Sequence, residues 1–497
     1  MITLRKDWID CANFNWLNAF PRHVNRHLLR YTSDHSPIFL EFFDSNDCST
    51  NVHKIKIKRF EQVWTIDIDS HHLVQNTWLT TSGDSVLKLQ STLNQLYDWG
   101  QTRFGDIPRK VKHLQEHLER LKNKVHNEES LINIKSIEKE LDTVLKEEEM
   151  WWAQRAKINW LQHGDLNTKY FHYKASQRKR KSTIYNIKDN VGNLWEDSNH
   201  IHSIFTTYFK NIYSSAETIP NHDIFSVVQN RVNQAQYDYL DAKYTALDVS
   251  KTISDLKSNS APGLGGLSAL FFQKYWDIIG KDIIDYSLNI LSNNGSPKDI
   301  NHTYISLIPK ISSPNFPSDF RPISLCNVIL KIVTKTMANR IKSILPSIIN
   351  AQQSAFLPGR LITDNTLIVF ETFHYIKRPR KKVNGFVGIK LDIAKAYDSL
   401  EWNFIENTMR SMGFPPNTIN VVMNCIRLVS FSIIINGQPT DTFTPYRDIK
   451  QGNPLSPYIF ITCAEVLYGL ISKSQEEGHI QFLLLLPMPP HISFTLC

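Results

Sequence analysis

The stretch from Gly385 to Trp402, GFVGIKLDIAKAYDSLEW, changes its hydrophobic period within a few residues and so fixes a strand followed by a helix. Val387, Ile389 and Leu391 alternate with Gly388, Lys390 and Asp392, the pattern that puts successive side chains on opposite faces of a strand. The strand this predicts ends on Asp392, with the carboxylate on its polar face. Beyond it, Leu400, Phe404, Ile405, Met409 and Met412 fall on one helical face, and Asp398 or Ser399 is placed to cap that helix ahead of Glu401. A carboxylate at a strand end, above a turn into a helix, is a frequent seat for a metal and phosphates, because hard cations take oxygen ligands. The same residues also fit a solvated or capping aspartate, and at this level both readings stand.

LDIAKAYDSLEW resembles the first catalytic motif of the reverse transcriptases of LINE-type (non-LTR) retrotransposons, in the version common in plants. RPISLCNVILKIVTKTMANRIK (321–342), QQSAFLPGRLITDN (352–365) and IKQGNPLSPYIF (449–460) resemble further motifs of that family, in the family's order. The resemblance covers nearly all of the chain, apart from about the last fifteen residues and the first few. It implies an α+β fold, the fingers and part of the palm of a right-hand polymerase, preceded by a long helical linker and by the C-terminal remnant of an endonuclease α/β sandwich. The divisions expected are 1–45 for the endonuclease remnant, 46–245 for the mostly helical linker, 246–481 for fingers and partial palm, and 482–497 for an aberrant tail.

The resemblance also assigns roles. Asp392 matches the position that binds both catalytic magnesium ions. Two hard cations need oxygen ligands to bring a primer 3′-oxygen and an α-phosphate into line, which is why that position is a carboxylate. Tyr397 matches the aromatic that lies under the sugar and rejects a 2′-hydroxyl, while Lys395 and Asp398 complete the motif as structural residues. Arg321 and Lys310 belong by resemblance to the fingers, where cations hold the triphosphate of the incoming nucleotide. Gln451 resembles the residue that touches that nucleotide and the template strand, with Gly452 in its tight turn. Two places depart from the family: Leu264 and Gly265 stand where Pro and Asp are usual, and Asn453 where Asp is usual.

A chain of 497 residues has room for two or three domains and a substantial core. Its 56 Lys and Arg against 48 Asp and Glu give a net charge of +8, which is compatible with nucleic-acid binding without establishing it. Local runs say more. Arg178, Lys179, Arg180 and Lys181 form one cluster, and Lys377, Arg378, Arg380, Lys381 and Lys382 another; each suits phosphate contact, a nuclear address or a solvated loop. The six cysteines show no ligand spacing and read as free thiols in a reducing compartment. MITLRKDWID has charges where a signal peptide needs an apolar stretch, and Phe482–Cys497 is too short and proline-rich to span a bilayer.

In TSDHSPIFLEF, a turn leads into an apolar strand, and Asp34 is placed to orient His35 for proton transfer. By resemblance this is the closing motif of the family's endonuclease domain, and Trp8–Asn13 resembles a preceding segment of it. Val111, Leu114, Leu118, Leu121 and Val125, then Leu131, Ile134, Leu141 and Val144, have heptad spacing on either side of a polar break, which predicts a helical hairpin packed within the chain; an intermolecular coiled coil is the alternative. Residues 149–184 interleave Trp151, Trp152, Trp160, Tyr170 and Phe171 with Arg155, Lys169, Arg178 and Lys181, as bases and phosphates would require. A helix with an aromatic core face and snorkelling cations fits as well. Further on, Ile184–Trp195 reads as a hairpin, 258–276 as a Gly-rich turn into a helix, Tyr304–Pro309 as a strand, and 326–344 as a helix apolar at Val328, Ile332, Val333, Met337 and Ile341. Ser456 is the expected N-cap of a last helix that buries Phe460, Cys463, Leu467, Leu470 and Ile471.

The family carries further catalytic carboxylates in a hairpin with two adjacent aspartates, and no aspartate follows Asp448 here. Glu465, Glu476 and Glu477 lie on or just beyond a helix and are poor substitutes. The expectation is therefore an RNA-directed DNA polymerase by family that is inactive or nearly so as this chain. RNA template, DNA primer and deoxynucleoside triphosphates are its expected partners, the nucleus its expected location, and no membrane is involved. The rival from another class is a non-catalytic nucleic-acid-binding remnant; an intron maturase, which shares the polymerase fold, is disfavoured by the SDHSP segment.

Overall fold

Helical period dominates the first half of the chain, and the folded protein follows it. The computed structural model describes residues 23–27, 38–42, 57–123, 128–157, 168–215, 222–377 and 391–480. Strands β1 (His23–His27) and β2 (Ile38–Phe42) pair antiparallel, the second where the apolar strand is expected. Helices α1 (Ile68–Thr80) and α2 (Ser85–Phe104) each start on an aspartate, Asp67 and Asp84, whose carboxylate accepts a main-chain N–H of the first turn. The anticipated hairpin is α3 (Ile107–Lys122) against α4 (Glu128–Ala156): Val111, Leu114 and Leu118 share a core with Ile134, Leu141 and Val144, and Lys122 reaches Glu138 at 2.8 Å. Leu121 packs half-buried against the same core, Leu131 is exposed at the start of α4 contrary to the expectation, because it lies in the helix's first turn beyond the end of α3's apolar stripe, and Val125 lies outside the described residues. Helix α5 (Thr168–Ser182) returns along α4, with the rings of Trp152 and His172 4.3 Å apart.

The expected hairpin follows as β3 (Ile187–Lys188) and β4 (Leu194–Trp195). The Trp195 indole N–H, with the Asn193 and Val191 amides, donates to Asp189 and holds its carboxyl down to about 2.

The main sheet has the order β6-β5-β7-β8, from β5 (His302–Pro309), β6 (Phe320–Leu325), β7 (Ser430–Ile435) and β8 (Gln438–Pro439). β5 runs antiparallel to β6 and parallel to β7. Helix α6 (Ser198–Ile212) covers one face, where Phe205, Phe209 and Tyr213 pack on Ile305, Leu307, Phe320, Phe431 and Ile433. Because strand side chains alternate, the opposite face carries Ile308 and its register partner Arg321, and both are exposed.

The remaining helices are α7 (Gln234–Asp241), α8 (Ala246–Asp255), α9 (Ala269–Lys274), α10 (Trp276–Leu291), α11 (Val328–Ile348), α12 (Ile362–Lys377), α13 (Trp402–Ser411), α14 (Pro416–Arg427) and α15 (Ser456–Glu476). The expected apolar positions of α11 are all buried. The loop before α9 is a packed turn: Phe60 N–H donates to Gly266 O, and at Gly266, φ +66, a Cβ would meet Lys58 O at 2.4 Å. No helix of the described residues is long and apolar enough to cross a membrane. Cys326, Cys425 and Cys463 are free and buried.

Three local expectations are corrected. Helix α13 starts at Trp402 with Glu401 at the cap position, so neither Asp398 nor Ser399 caps it; Asp398 is instead buried ahead of the helix. Helix α15 has Leu455 at its cap position, and Ser456 gives its hydroxyl to Lys450 O at 2.8 Å. The buried face of α15 holds Ile459, Cys463 and Val466, while Leu467 and Leu470 are exposed. Close packing explains the rotation: Val227 abuts Gly469, where a Cβ would stand 2.6 Å from it, so the face containing Gly469 turns inward.

Candidate nucleotide and nucleic-acid site

Strand β6 is an edge strand, and its free side is used. The Ser324 N–H donates to Gln451 O at 2.9 Å, which sets the Gln451–Gly452 turn against the strand that carries Arg321. Gly452 allows the approach: its φ is +117, and a Cβ there would lie 3.0 Å from Ser324 O. The same segment is tied to the 397–402 region. Ile449 N–H donates to Tyr397 O at 3.0 Å, Asp448 N–H to Leu400 O at 3.2 Å, and the Trp402 indole to Asp448 O at 2.9 Å. Three stretches far apart in sequence therefore form one surface. Tyr397 stacks on Phe460, ring centroids 5.2 Å apart and planes 12° off parallel, and burial raises the pKa of its hydroxyl.

Asp392 is exposed and, with Leu391, lies in no strand, against the expectation that a strand ends on it; residues 387–390 of that expected strand lie outside the described residues. Among the described residues no group of three His, Cys, Asp or Glu side chains is placed to hold a metal ion. Lys310 is exposed, and its ammonium donates to Ser318 O at 2.8 Å. Glu465 is buried, accepts Asn350 N–H at 3.2 Å, and is pushed up to about 7 by burial, so it supplies no ligand beside Asp392.

Sequence reasoning missed what lies beneath this surface. Burial raises Asp398 to about 6, against the pull of Lys395 and Lys310. Burial also pushes the Asp448 carboxyl well up, with Asp398 adding to the effect, and pushes the Lys450 ammonium down. Lys450 donates to Asn301 Oδ1, and Asn301 Nδ2 to Cys425 O at 3.0 Å. Asp448, Ile449 and Lys450 are all buried, so the alternation of polar and apolar residues here does not mark an outward polar face.

Of the basic helix residues, Arg178, Lys179, Arg180 and Lys181 are exposed on α5. Arg155 is not available to phosphate, since Glu61 holds it at 2.6 Å and it lies 3.4 Å over the Trp151 ring. Phe171 is buried, as the core reading requires. Trp160, the Lys169 side chain, Asp34, His35 and the 378–382 part of the second basic run lie outside the described residues.

Residues 308–483, which contain this surface, match the family model described as reverse transcriptase (RNA-dependent DNA polymerase). The chain is 25% identical over 324 residues to the transposon TX1 uncharacterized 149 kDa protein of Xenopus laevis, a match covering 64% of this chain and 24% of that protein. It is 32% identical over 164 residues to the retrovirus-related Pol polyprotein from the type-2 retrotransposable element R2DM of Drosophila melanogaster, 33% of this chain and 15% of the relative. An uncharacterized mitochondrial protein of Arabidopsis thaliana is 46% identical over 63 residues, 13% of this chain and 52% of its own. The chain thus spans about a quarter or less of the length of the two longer relatives. Residues 308–483 are thus similar to a reverse transcriptase domain, and stretches of the chain are similar to proteins of transposable elements.

Proposed function

We propose that this chain engages a primer, an RNA template and a deoxynucleoside triphosphate on the surface formed by β6, the Gln451–Gly452 turn and residues 391–402. The observation that carries the reading is the pair of main-chain bonds, Ser324 to Gln451 and Ile449 to Tyr397, which unite three of the family-like motifs. In this reading Arg321, exposed on the open face of the sheet, and Lys310 hold the triphosphate, Tyr397 bounds the sugar, and Gln451 meets the base pair being formed. Residues 1–45 are the edge of an endonuclease and the chain works in the nucleus, where its basic runs and its DNA primer would meet.

Phosphoryl transfer of this kind uses divalent cations bound to several oxygen ligands. The described residues do not fit that group: Asp392 has no gathered carboxylates, and Asp398 and Asp448 are buried. We infer that the chain alone is inactive or nearly so. The second reading, a nucleic-acid-binding remnant, is favoured by the exposed cations of α5 together with this incomplete donor set.

Primer extension by the purified chain on an RNA template, with magnesium and deoxynucleotides, separates these readings. The expected result is salt-dependent RNA binding without incorporation, unchanged in Asp392→Asn. Incorporation that disappears in Asp392→Asn would overturn the claim of inactivity, and absence of any RNA binding would overturn the nucleic-acid reading.

A further inference from the structure

Where α2 ends and α3 begins, a cavity of about 510 Å³ opens between them and α4. Sequence spacing builds its walls. Lys110, His113 and Leu114 share one face of α3, and Glu140, Thr143, Val144 and Glu147 share one face of α4, because residues three and four apart are neighbours on a helix. Leu114 and Val144 are buried, whereas Lys110, His113, Glu140 and Thr143 are exposed.

The cations of this cavity are held in place by the protein itself. Arg103, in the last turn of α2, donates to Asp67 at 3.1 Å, and its guanidinium lies 4.7 Å over the Phe104 ring. Lys110 donates to Arg103 O at 3.2 Å. Glu147 is the group left over. It sits three residues after Val144 on the buried side of α4, 6% exposed. Its ion pair with Arg103 Nη2 is 3.6 Å long, beyond hydrogen-bond reach, and its carboxylate accepts no hydrogen bond among the described residues. Burial raises its pKa, against the pull of Arg103 and Lys110. A buried carboxylate without a hydrogen bond is costly, and donors brought by a ligand remove that cost.

We propose that this cavity holds a guanine base, with Glu147 accepting its N1–H and N2–H and Lys110 donating to its O6. Guanine is the base that presents two adjacent N–H donors, spaced to meet both oxygens of one carboxylate, beside an acceptor that a cation can meet. Adenine and cytosine each bring a single amino group, and uracil a single N–H between two acceptors. Leu114 and Val144 give the flat ring an apolar contact, and the volume falls in the range of about 300–1,000 Å³ usual for ligand sites. Such a guanine has two sources, an unpaired residue of an RNA strand and a free nucleotide. The strand form deepens the nucleic-acid reading and rests on it; the free form does not.

The test is isothermal titration of the full chain with GMP, AMP, CMP and UMP. Beside it, anisotropy follows a labelled single-stranded RNA of adenines with one central guanine, and the same RNA with adenine there. Thr143→Phe fills the cavity from its wall, Glu147→Gln and Lys110→Gln remove the proposed contacts, and Lys112→Gln, outside the cavity, is the control. Thermal melts check that each variant is folded; Thr143→Phe and Lys110→Gln, both at exposed positions, carry the test if Glu147→Gln does not fold. GMP is expected to bind about tenfold or more tighter than the other nucleotides, the scale of discrimination a good bidentate pair supplies. That preference should vanish in Glu147→Gln and shrink in Lys110→Gln. GMP binding should be lost in Thr143→Phe and unchanged in Lys112→Gln.

Preference for the guanine-bearing RNA, lost in Thr143→Phe, places a strand in the cavity. Preference for GMP with no RNA bound leaves the cavity to a free nucleotide and sinks the nucleic-acid reading alone. RNA binding with equal affinity for both RNAs and for the four nucleotides overturns the guanine site and leaves the nucleic-acid reading intact. A guanine preference that survives in folded Thr143→Phe overturns the placement. A chain that binds neither nucleotide nor RNA sinks both.

Discussion

Replacing Gly452 by alanine tests whether the turn bearing Gln451 is held by contact with β6 or merely lies beside it. At φ +117 an L-residue is strained, and such conformations cost on the order of 1–3 kcal/mol. The new Cβ would also stand 3.0 Å from Ser324 O, a main-chain atom that cannot rotate aside. Relieving that contact moves the turn away and stretches the 2.9 Å bond from Ser324 N–H to Gln451 O, worth about 1 kcal/mol net. Together the cost is about 2–4 kcal/mol. Gly437 separates the two contributions, because its φ is +87 and nothing lies within 4 Å of an added Cβ, so Gly437→Ala carries the conformational cost alone. Hydrogen exchange followed by mass spectrometry on peptides covering β6 gives the local readout. Exchange at Ser324 is expected to accelerate roughly tenfold or more in Gly452→Ala, since each step of about 1.4 kcal/mol is a factor of ten, and to stay unchanged in Gly437→Ala. Equal protection of β6 in both variants would refute the argument that the turn is fixed by its approach to the strand.

Asp398→Asn should alter the pH dependence of stability. The carboxyl is raised from 3.8 to about 6 in the folded protein, so its stabilising protonation is fully present below about 3.8 and is lost as pH rises through about 6. Urea midpoints of the wild type should therefore fall relative to Asp398→Asn over that window, and parallel curves would contradict the assignment. Phe431→Ala removes a fully buried ring packed on Tyr213 at 5.3 Å and Phe443 at 6.0 Å, and should cost about 3–5 kcal/mol in denaturant titrations. A loss under about 1 kcal/mol would mean that the α6 side of the sheet is not a close-packed core.

Where local pattern decides structure, the sequence was readable. The apolar spacing of α11 buries every residue it predicts, and the heptad runs of α3 and α4 bury Val111, Leu114, Leu118, Ile134, Leu141 and Val144, though Leu131 is exposed. The face of α15 was not readable, because Val227 selects it by meeting Gly469, a contact with no local signature. In the candidate site, Arg321, Tyr397 and Gln451 could be named from their motifs. What joins them is main-chain hydrogen bonding, which leaves no mark on side-chain identity, and for the same reason the burial of Asp448 and Lys450 was invisible.

The parallel pairing of β5 with β7 has a consequence for how the chain is made. His302 Nδ1 meets Ser430 Oγ at 2.7 Å across a separation of 128 residues, and Asn436 exchanges hydrogen bonds with the main chain of Ile184 across 252. Synthesis proceeds from the N-terminus, so β5 and β6 can form their hairpin early, while the central partner of the sheet leaves the ribosome only after α11 to α14 have been made. Until then Phe205 and Phe209 have half a sheet to cover them. Loop-closure entropy adds little to the equilibrium cost, but pairing at such a distance slows the search for it. In the interval between β6 and β7 the nascent chain therefore presents an unpaired β5 edge, the kind of surface that invites aggregation.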